Sequence, residues 1–250
     1  MLLVILLNES FCYGDAFMKK RAKKDILLII PAYNEDENLV NVIKKVEESF
    51  PQFDYIVVND GSIDTTKDIC EENRFRMIDY SVNLGLKMAF LGGVDYAVKN
   101  GYSYVVQYDA DGQHNACYID DMLKCAKTKN VDVVIGSRFL KCGKPVTARM
   151  IGSRLISWCI KLSTHKTITD PTSGMRLYNT KAMRVLMHQV CFGPEPDLVA
   201  HLLRCGMKVE EIGVTMNERV AGESYLDFMA SLKYMFLMIG SILLVERFRK

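Results

Sequence analysis

The sequence predicts an α/β domain: a doubly wound, mostly parallel sheet flanked by helices, followed by a C-terminal apolar helix. Two observations carry this expectation. Short apolar runs alternate with amphipathic segments up to about residue 140, the pattern of strands joined by crossover helices. Polar clusters follow those runs: PAYNE (31–35), NDGS (59–62), DADGQH (109–114) and GSRF (136–139). They fall at the expected carboxyl ends of strands, where doubly wound sheets bind ligands.

Each element follows from local pattern. Asp25–Ile30 reads as a buried strand stopped by Pro31. Across Asp36–Phe50, Leu39, Ile43, Val46 and Phe50 share one helical face, with Glu35, Asp36 and Glu37 favourable in its first turn. Tyr55–Asn59 is the second strand, and Ser62 is the expected cap of a helix through Thr65–Arg74. Arg76–Asp79 is a short third strand, Gly85–Asn100 a helix, Tyr104–Tyr108 the fourth strand, Ile119–Lys129 a helix and Val131–Ile135 the fifth strand. Beyond residue 140 the alternation weakens. Thr147–Ser163 and Asp197–Cys205 read as helical, Met207–Val214 as extended, Thr164–Arg176 and Glu218–Glu223 as polar loops. This part is expected to form a cap that completes one site.

Composition bounds the function. The 250 residues are 49% hydrophobic and 25% charged, which excludes a disordered or low-complexity chain. A net charge of +2 gives no global field for nucleic acid. Eight cysteines without a CxxC pair or metal-like spacing read as reduced, mostly buried thiols of a cytosolic protein. The expected organisation is an extension at 1–24, basic over 19–24, one domain over 25–226, and a helix with a basic tail over 227–250. Met18 is an alternative start. The apolar stretch Tyr234–Val245 is 12 residues long, short of the ~20 that cross a bilayer. It suits a helix at a membrane surface, or one packed on the domain or on a second copy.

The clusters permit specific chemistry. Asp109 and Asp111, two apart beyond an apolar strand, bring two carboxylates to one hard cation, Mg²⁺ or Mn²⁺; His114 either orients that site or is plain loop. Asp60 can accept from a base N–H, with Gly61 allowing a tight turn; Tyr33 can stack on a base and Glu35 can bond a ribose hydroxyl. Each also has a plain structural reading as turn, cap or first-turn acid.

Taken together, LLIIPAYNEDENL (27–39), VVNDGSIDTT (57–66), Asn83-Leu84-Gly85, YDADGQHNACYI (108–119), VIGSRF (134–139), DPTSGMRLYN (170–179) and EEIGVTMNERVAGESYL (210–226) resemble the family 2 inverting glycosyltransferases of GT-A fold. More narrowly, they resemble the dolichyl- and polyprenyl-phosphate sugar synthases. The resemblance implies that Pro31, Tyr33, Glu35, Asp60, Asp109 and Ala110 bind the nucleotide sugar. It implies that Asp109, Asp111 and Gln113 hold the metal, and that Arg138 and Arg219 contact phosphate. Two departures bear on the acceptor: Tyr225 follows Ser224 where the family often has a cation, and long C-terminal membrane helices are replaced by one short apolar helix.

The implied activity is transfer of a hexose from a UDP- or GDP-sugar to a polyprenyl phosphate, at the inner face of the membrane. Asp111, Arg138, Arg219 and Asp170 are the candidate catalytic residues. A phosphate monoester is mostly dianionic at neutral pH and needs cations rather than a base. A hydroxyl acceptor would need a carboxylate base, for which Asp170, Glu195 and Asp197 are the candidates. A nucleotidyltransferase would want a basic phosphate loop where PAYNEDEN is acidic. A non-catalytic nucleotide-sugar scaffold and a homo-oligomer stay open.

Overall fold

The first apolar run forms β1, Ile26–Ala32, in the computed structural model, which describes residues 25–110, 116–140, 148–188, 195–215 and 228–245. Pro31 does not stop this strand but pairs with Val58. The ladder from β1 to β4 (Tyr104–Gln107) ends at Ile29 opposite Gln107. Pro31 thus lies past that ladder, where a missing N–H is tolerated.

Helix α1 runs Leu39–Ser49 and buries Leu39, Val42, Ile43 and Val46. Its start corrects the expectation: Glu35, Asp36 and Glu37 precede the helix, because the N–H groups of Asn38 and Leu39 already turn back onto the Glu35 carbonyl. Strand β2 (Asp54–Asn59), helix α2 (Thr66–Glu72), strand β3 (Met77–Asp79) and helix α3 (Leu86–Lys99) follow. After β4 come α4 (Tyr118–Lys129), β5 (Val133–Ser137), α5 (Ala148–Thr164), β6 (Arg176–Asn179), α6 (Thr180–His188), α7 (Pro196–Arg204), β7 (Val209–Gly213) and α8 (Phe228–Gly240).

The sheet has seven strands in the order β3-β2-β1-β4-β6-β5-β7. It is parallel except at β6, which lies antiparallel between β4 and β5, with Val105 opposite Tyr178 and Val134 opposite Leu177. β7 adds parallel to β5. The expected cap is therefore corrected: the chain beyond residue 140 supplies two strands of the sheet itself. The four-residue RLYN was too short to show a strand period beside a polar loop.

Alternate strand residues face opposite sides, so the sheet divides the core in two. Leu27, Ile29, Val58, Val105 and Tyr178 pack with α3, α6, α7 and part of α5. Ile26, Leu28, Ile30, Val57, Val106 and Leu177 pack with α1, α4 and Cys70 of α2. Strands covered on both faces read as continuous apolar runs. Burial pushes the Cys70 thiol up to about 12, so it is an inert core group. The described cysteines are free thiols as expected, but only Cys70 and Cys159 are buried; Cys117 and Cys205 are exposed.

The C-terminal helix packs on the domain. At Gly152 of α5 an added Cβ would lie 2.9 Å from Met235 Sδ of α8. A π-helical turn, Ser241–Val245, follows α8 and buries Ile242 completely. The Ser241 hydroxyl donates to Asp197 Oδ2 at 2.8 Å. Among the described residues, no helix is long and apolar enough to cross a membrane.

Candidate active site

The loops after β1 and β2 are sewn together by five hydrogen bonds. The Asn34 N–H donates to Ser62 Oγ at 3.0 Å, and the Ile63 N–H returns to Asn34 Oδ1 at 3.0 Å. The Glu35 N–H donates to Thr66 Oγ1 at 2.9 Å, the Asp36 N–H to Asp64 Oδ2 at 3.3 Å, and the Thr65 hydroxyl to Asp36 Oδ2 at 2.8 Å. Asn34 adopts φ 55°, a left-handed conformation that asparagine tolerates. Ser62 thus serves the neighbouring loop and not the helix. At the start of α2 it is Asp64 Oδ1 that accepts the Thr66 N–H, at 3.0 Å.

Asp60 is almost wholly buried beneath this pair of loops. Its two carboxylate oxygens accept the N–H groups of Leu84 and Gly85, each at 2.8 Å, and so hold the Asn83-Leu84-Gly85 turn against β2. Gly61 adopts φ 66°, and an added Cβ would strike the Val82 backbone, so this turn requires glycine. Pro31, Tyr33 and Glu35 are half-buried on the same side, and Glu35 Oε2 accepts from the Asn38 amide at 3.0 Å.

At the carboxyl end of β4, half-buried Asp109 accepts from Gln107 Nε2 at 3.3 Å, and Ala110 is buried. Asp111 and Gln113 of the expected metal set, His114 beside them, and Arg219 lie outside the described residues.

At the carboxyl end of β5, Arg138 Nε donates to Asp170 Oδ2 at 2.7 Å and Nη2 to Oδ1 at 2.8 Å; Nη2 also reaches Thr172 Oγ1 at 3.0 Å. The Arg138 backbone N–H adds a third bond to Asp170, at 3.0 Å. Asp170 is 0% exposed. Burial pushes its carboxyl upward, but the hydrogen bonds and charge of Arg138 together with Thr172 outweigh burial and hold it below the ordinary carboxylate range. Glu211 of β7 supports the pair from behind: its two oxygens accept the N–H groups of Thr169 at 2.6 Å and Asp170 at 2.8 Å. Buried Arg176 ties the same turn down through the carbonyls of Ser173 and Pro171, and reaches the Glu195 carbonyl at the start of α7. Asp197 is engaged with the Leu198 N–H and Ser241.

The structure thus brings Pro31, Tyr33, Glu35 and Asp60 to one loop pair, and Arg138 and Asp170 to direct contact. Sequence reading assigned no role to Asn34, Thr66, Glu211 or Arg176. All four stood in quoted motifs, but the partners of Glu211 lie 41 and 42 residues away along the chain, beyond any local signal.

Residues 27–187 match the sequence family described as glycosyl transferase family 2. The chain belongs to this family. As a family 2 protein of GT-A fold it is a glycosyltransferase. It is 31% identical over 215 residues to the undecaprenyl-phosphate mannosyltransferase of Micrococcus luteus, across 80% of this chain and 86% of the relative. It is 30% identical over 219 residues to the polyprenol monophosphomannose synthase of Mycolicibacterium smegmatis, across 82% of each chain. Among solved structures, the family 2 fold is similar to glucosyl-3-phosphoglycerate synthase from Mycobacterium tuberculosis in complex with Mn²⁺, UDP-glucose and phosphoglyceric acid. The TM-score is 0.64 at 16% identity, across 92% of this chain and 82% of the other.

Proposed function

We propose that this glycosyltransferase moves a hexose from a nucleotide diphosphate sugar to a polyprenyl phosphate with inversion, working at a membrane surface. Mannose is the first sugar to test, since two relatives are named for it. The observation that carries the reading is Arg138, a guanidinium held at a strand's carboxyl end by a fully buried carboxylate.

Three of the five guanidinium N–H groups engage Asp170 and Thr172. Among the described residues the Nη1 pair has no hydrogen-bond partner, so it is the edge that would meet a phosphate, its direction fixed by the ion pair behind it. A lipid phosphate, already dianionic, is held in line with the anomeric carbon and needs no proton removed. Asp170 suits a supporting role better than that of a base. Its lowered pKa makes it a poor proton acceptor, and each of its oxygens is already bonded. Asp197 is likewise occupied. Both points weigh against these two as the base for a hydroxyl acceptor and leave Glu195 of the three candidates.

The nucleoside lies across the loops after β1 and β2. Asp60 spends one lone pair of each oxygen on the 84–85 turn and keeps others for a base N–H. Tyr33 offers a face for stacking and Glu35 a carboxylate for the ribose. A divalent cation fits the donor set: Asp109 is a half-buried hard oxygen donor, and neighbouring Gln107 keeps a buried Oε1 without a partner among the described residues. Asp109, Asp111 and Gln113 would hold Mg²⁺ or Mn²⁺. Such an ion, when bound, offsets the negative charge of the departing diphosphate. Arg219 is the second phosphate-contacting cation of this reading.

The test is nucleotide release from UDP- and GDP-hexoses, with and without polyprenyl phosphate, in Mg²⁺, Mn²⁺ or EDTA. Release is expected only with lipid phosphate and a divalent ion, and Asp111→Ala is expected to abolish it while the fold persists. Full turnover in EDTA, or equal turnover on a sugar hydroxyl, overturns the reading.

A further inference from the structure

Strand β4 ends in a polar side chain where the core around it is apolar. Val105 and Val106 are fully buried and Tyr108 is nearly so, yet Gln107 among them is only 2% exposed. β4 lies inside the sheet, and Gln107 stands in register between Ile29 of β1 and Arg176 of β6. Side chains alternate along a strand. Gln107 thus shares its face with Val105, in the core cluster that also holds Ile29 and Tyr178.

An amide in such a place needs partners at both of its ends. Gln107 has one. Its Nε2 donates to Asp109 Oδ1 at 3.3 Å, while its Oε1 has no partner among the described residues. The cation opposite does not serve it: Arg176 gives its guanidinium to the carbonyls of Pro171, Ser173 and Glu195. Asp109 sets which way the amide faces, since the reverse orientation would turn an oxygen toward the carboxylate.

A buried acceptor without a donor lowers stability, and an apolar side chain of similar shape would fill the same place without that cost. The fold therefore does not account for Gln107. What its polar end touches does. Asp109 lies just past the strand, half-buried, and the Gln107 amide reaches from the core to one of its oxygens. A carboxylate that serves a cation gains when a neighbouring donor holds its orientation, and that donor needs no contact with the ion itself.

We propose, resting on the cation reading of Asp109 above, that Gln107 is a positioning residue of the divalent-cation site: its core-anchored amide holds the Asp109 carboxylate ready for the ion, at the expense of stability. Removing the amide should accordingly weaken the cation's hold and leave the fold as stable as before, or more so.

Gln107→Met keeps the length of the side chain and removes both polar ends, and Gln107→Leu does so with a different shape. Two quantities are read on the full-length protein: the melting temperature in EDTA by calorimetry, and Mn²⁺ retained in equilibrium dialysis with UDP or GDP present. Both variants are expected to bind Mn²⁺ about tenfold more weakly. In EDTA they are expected to melt at the wild-type temperature or about 2–4 °C above it. In turnover, the Mn²⁺ concentration for half-maximal rate should rise in Gln107→Met while the rate at saturating Mn²⁺ approaches that of wild type. Tyr178→Phe is the control. It removes another buried group without a partner among the described residues, on the same face of the sheet, and is expected to leave Mn²⁺ binding as in wild type. Wild-type Mn²⁺ affinity in either Gln107 variant overturns the positioning role and leaves the cation reading standing. A melting temperature lowered in both makes Gln107 a structural residue and overturns the role also, as does Mn²⁺ binding weakened equally by Tyr178→Phe. Absence of Mn²⁺ binding by wild type overturns the cation reading, and the positioning role with it.

Discussion

Asp170 and Arg138 form a two-pronged ion pair in the candidate site, and the two partners are unequal. Asp170 is fully buried while the Arg138 side chain keeps 32% of its surface. Removing the cation therefore leaves a charge inside the protein, whereas removing the carboxylate leaves a cation that solvent can reach. Arg138→Ala is expected to cost about 3 kcal/mol in urea denaturation, and Asp170→Ala less. Equal costs would contradict the asymmetry. The pH dependence has a definite sign. The folded-state pKa of Asp170 is lowered, so the pair stabilises fully above the unfolded value of about 3.9, and that contribution fades as pH falls through the lowered folded value. The stability gap between wild type and Arg138→Ala should accordingly be constant near neutrality and narrow in acid, as denaturation midpoints at neutral and strongly acid pH would show. Both residues were visible in the sequence as members of polar clusters. Their pairing was not, since 32 residues separate them and only the antiparallel return of β6 brings the turn at Asp170 beside β5.

At the scale of elements, loops that the sequence marked as binding loops turn out to brace one another. The turn after β1 is bonded to the turn after β2, and the turn before β6 hangs from Glu211 on β7. Glu211 reads along the strand as one more polar residue, because its task is to receive two backbone N–H groups from a distant segment. Glu211→Ala is expected to cost about 2 kcal/mol, the penalty for two unsatisfied donors, and to lower turnover with little change in KM for the donor. Glu211→Gln, which keeps an acceptor, should recover part of both; a loss in Gln as large as in Ala would remove the bracing role. The parallel wing β3-β2-β1-β4 was legible because its strands, even the three-residue β3, alternate with helical segments. β6 was not, being four residues long and bounded by a polar turn and by α6 without a break.

Over the whole molecule, the C-terminal segment belongs to the domain rather than hanging from it. Ile242 joins the core cluster that includes Ile156, Cys159 and Ile160 of α5 and Leu198 of α7. Deleting residues 228–250 would forfeit this contact, worth about 1.5–3 kcal/mol for the isoleucine alone. The expected result is a lower Tm by calorimetry, and an unchanged Tm would show the segment to be dispensable. The sequence signalled that this stretch is apolar and too short to span a bilayer, but an apolar helix at a chain end reads alike whether lipid or protein covers it.

The position of β6 also bears on how the protein is made. During synthesis β1, β2, β3 and β4 leave the ribosome with their crossover helices and can assemble early, yet the outer side of β4 has no neighbour until residues 176–179 emerge. β5 is synthesised before either of its own neighbours. Until then the nascent chain shows a bare, strongly apolar strand edge, the kind that recruits other chains. A ribosome stalled before residue 179 would leave a product that clumps, and chaperone demand should be greatest in that window.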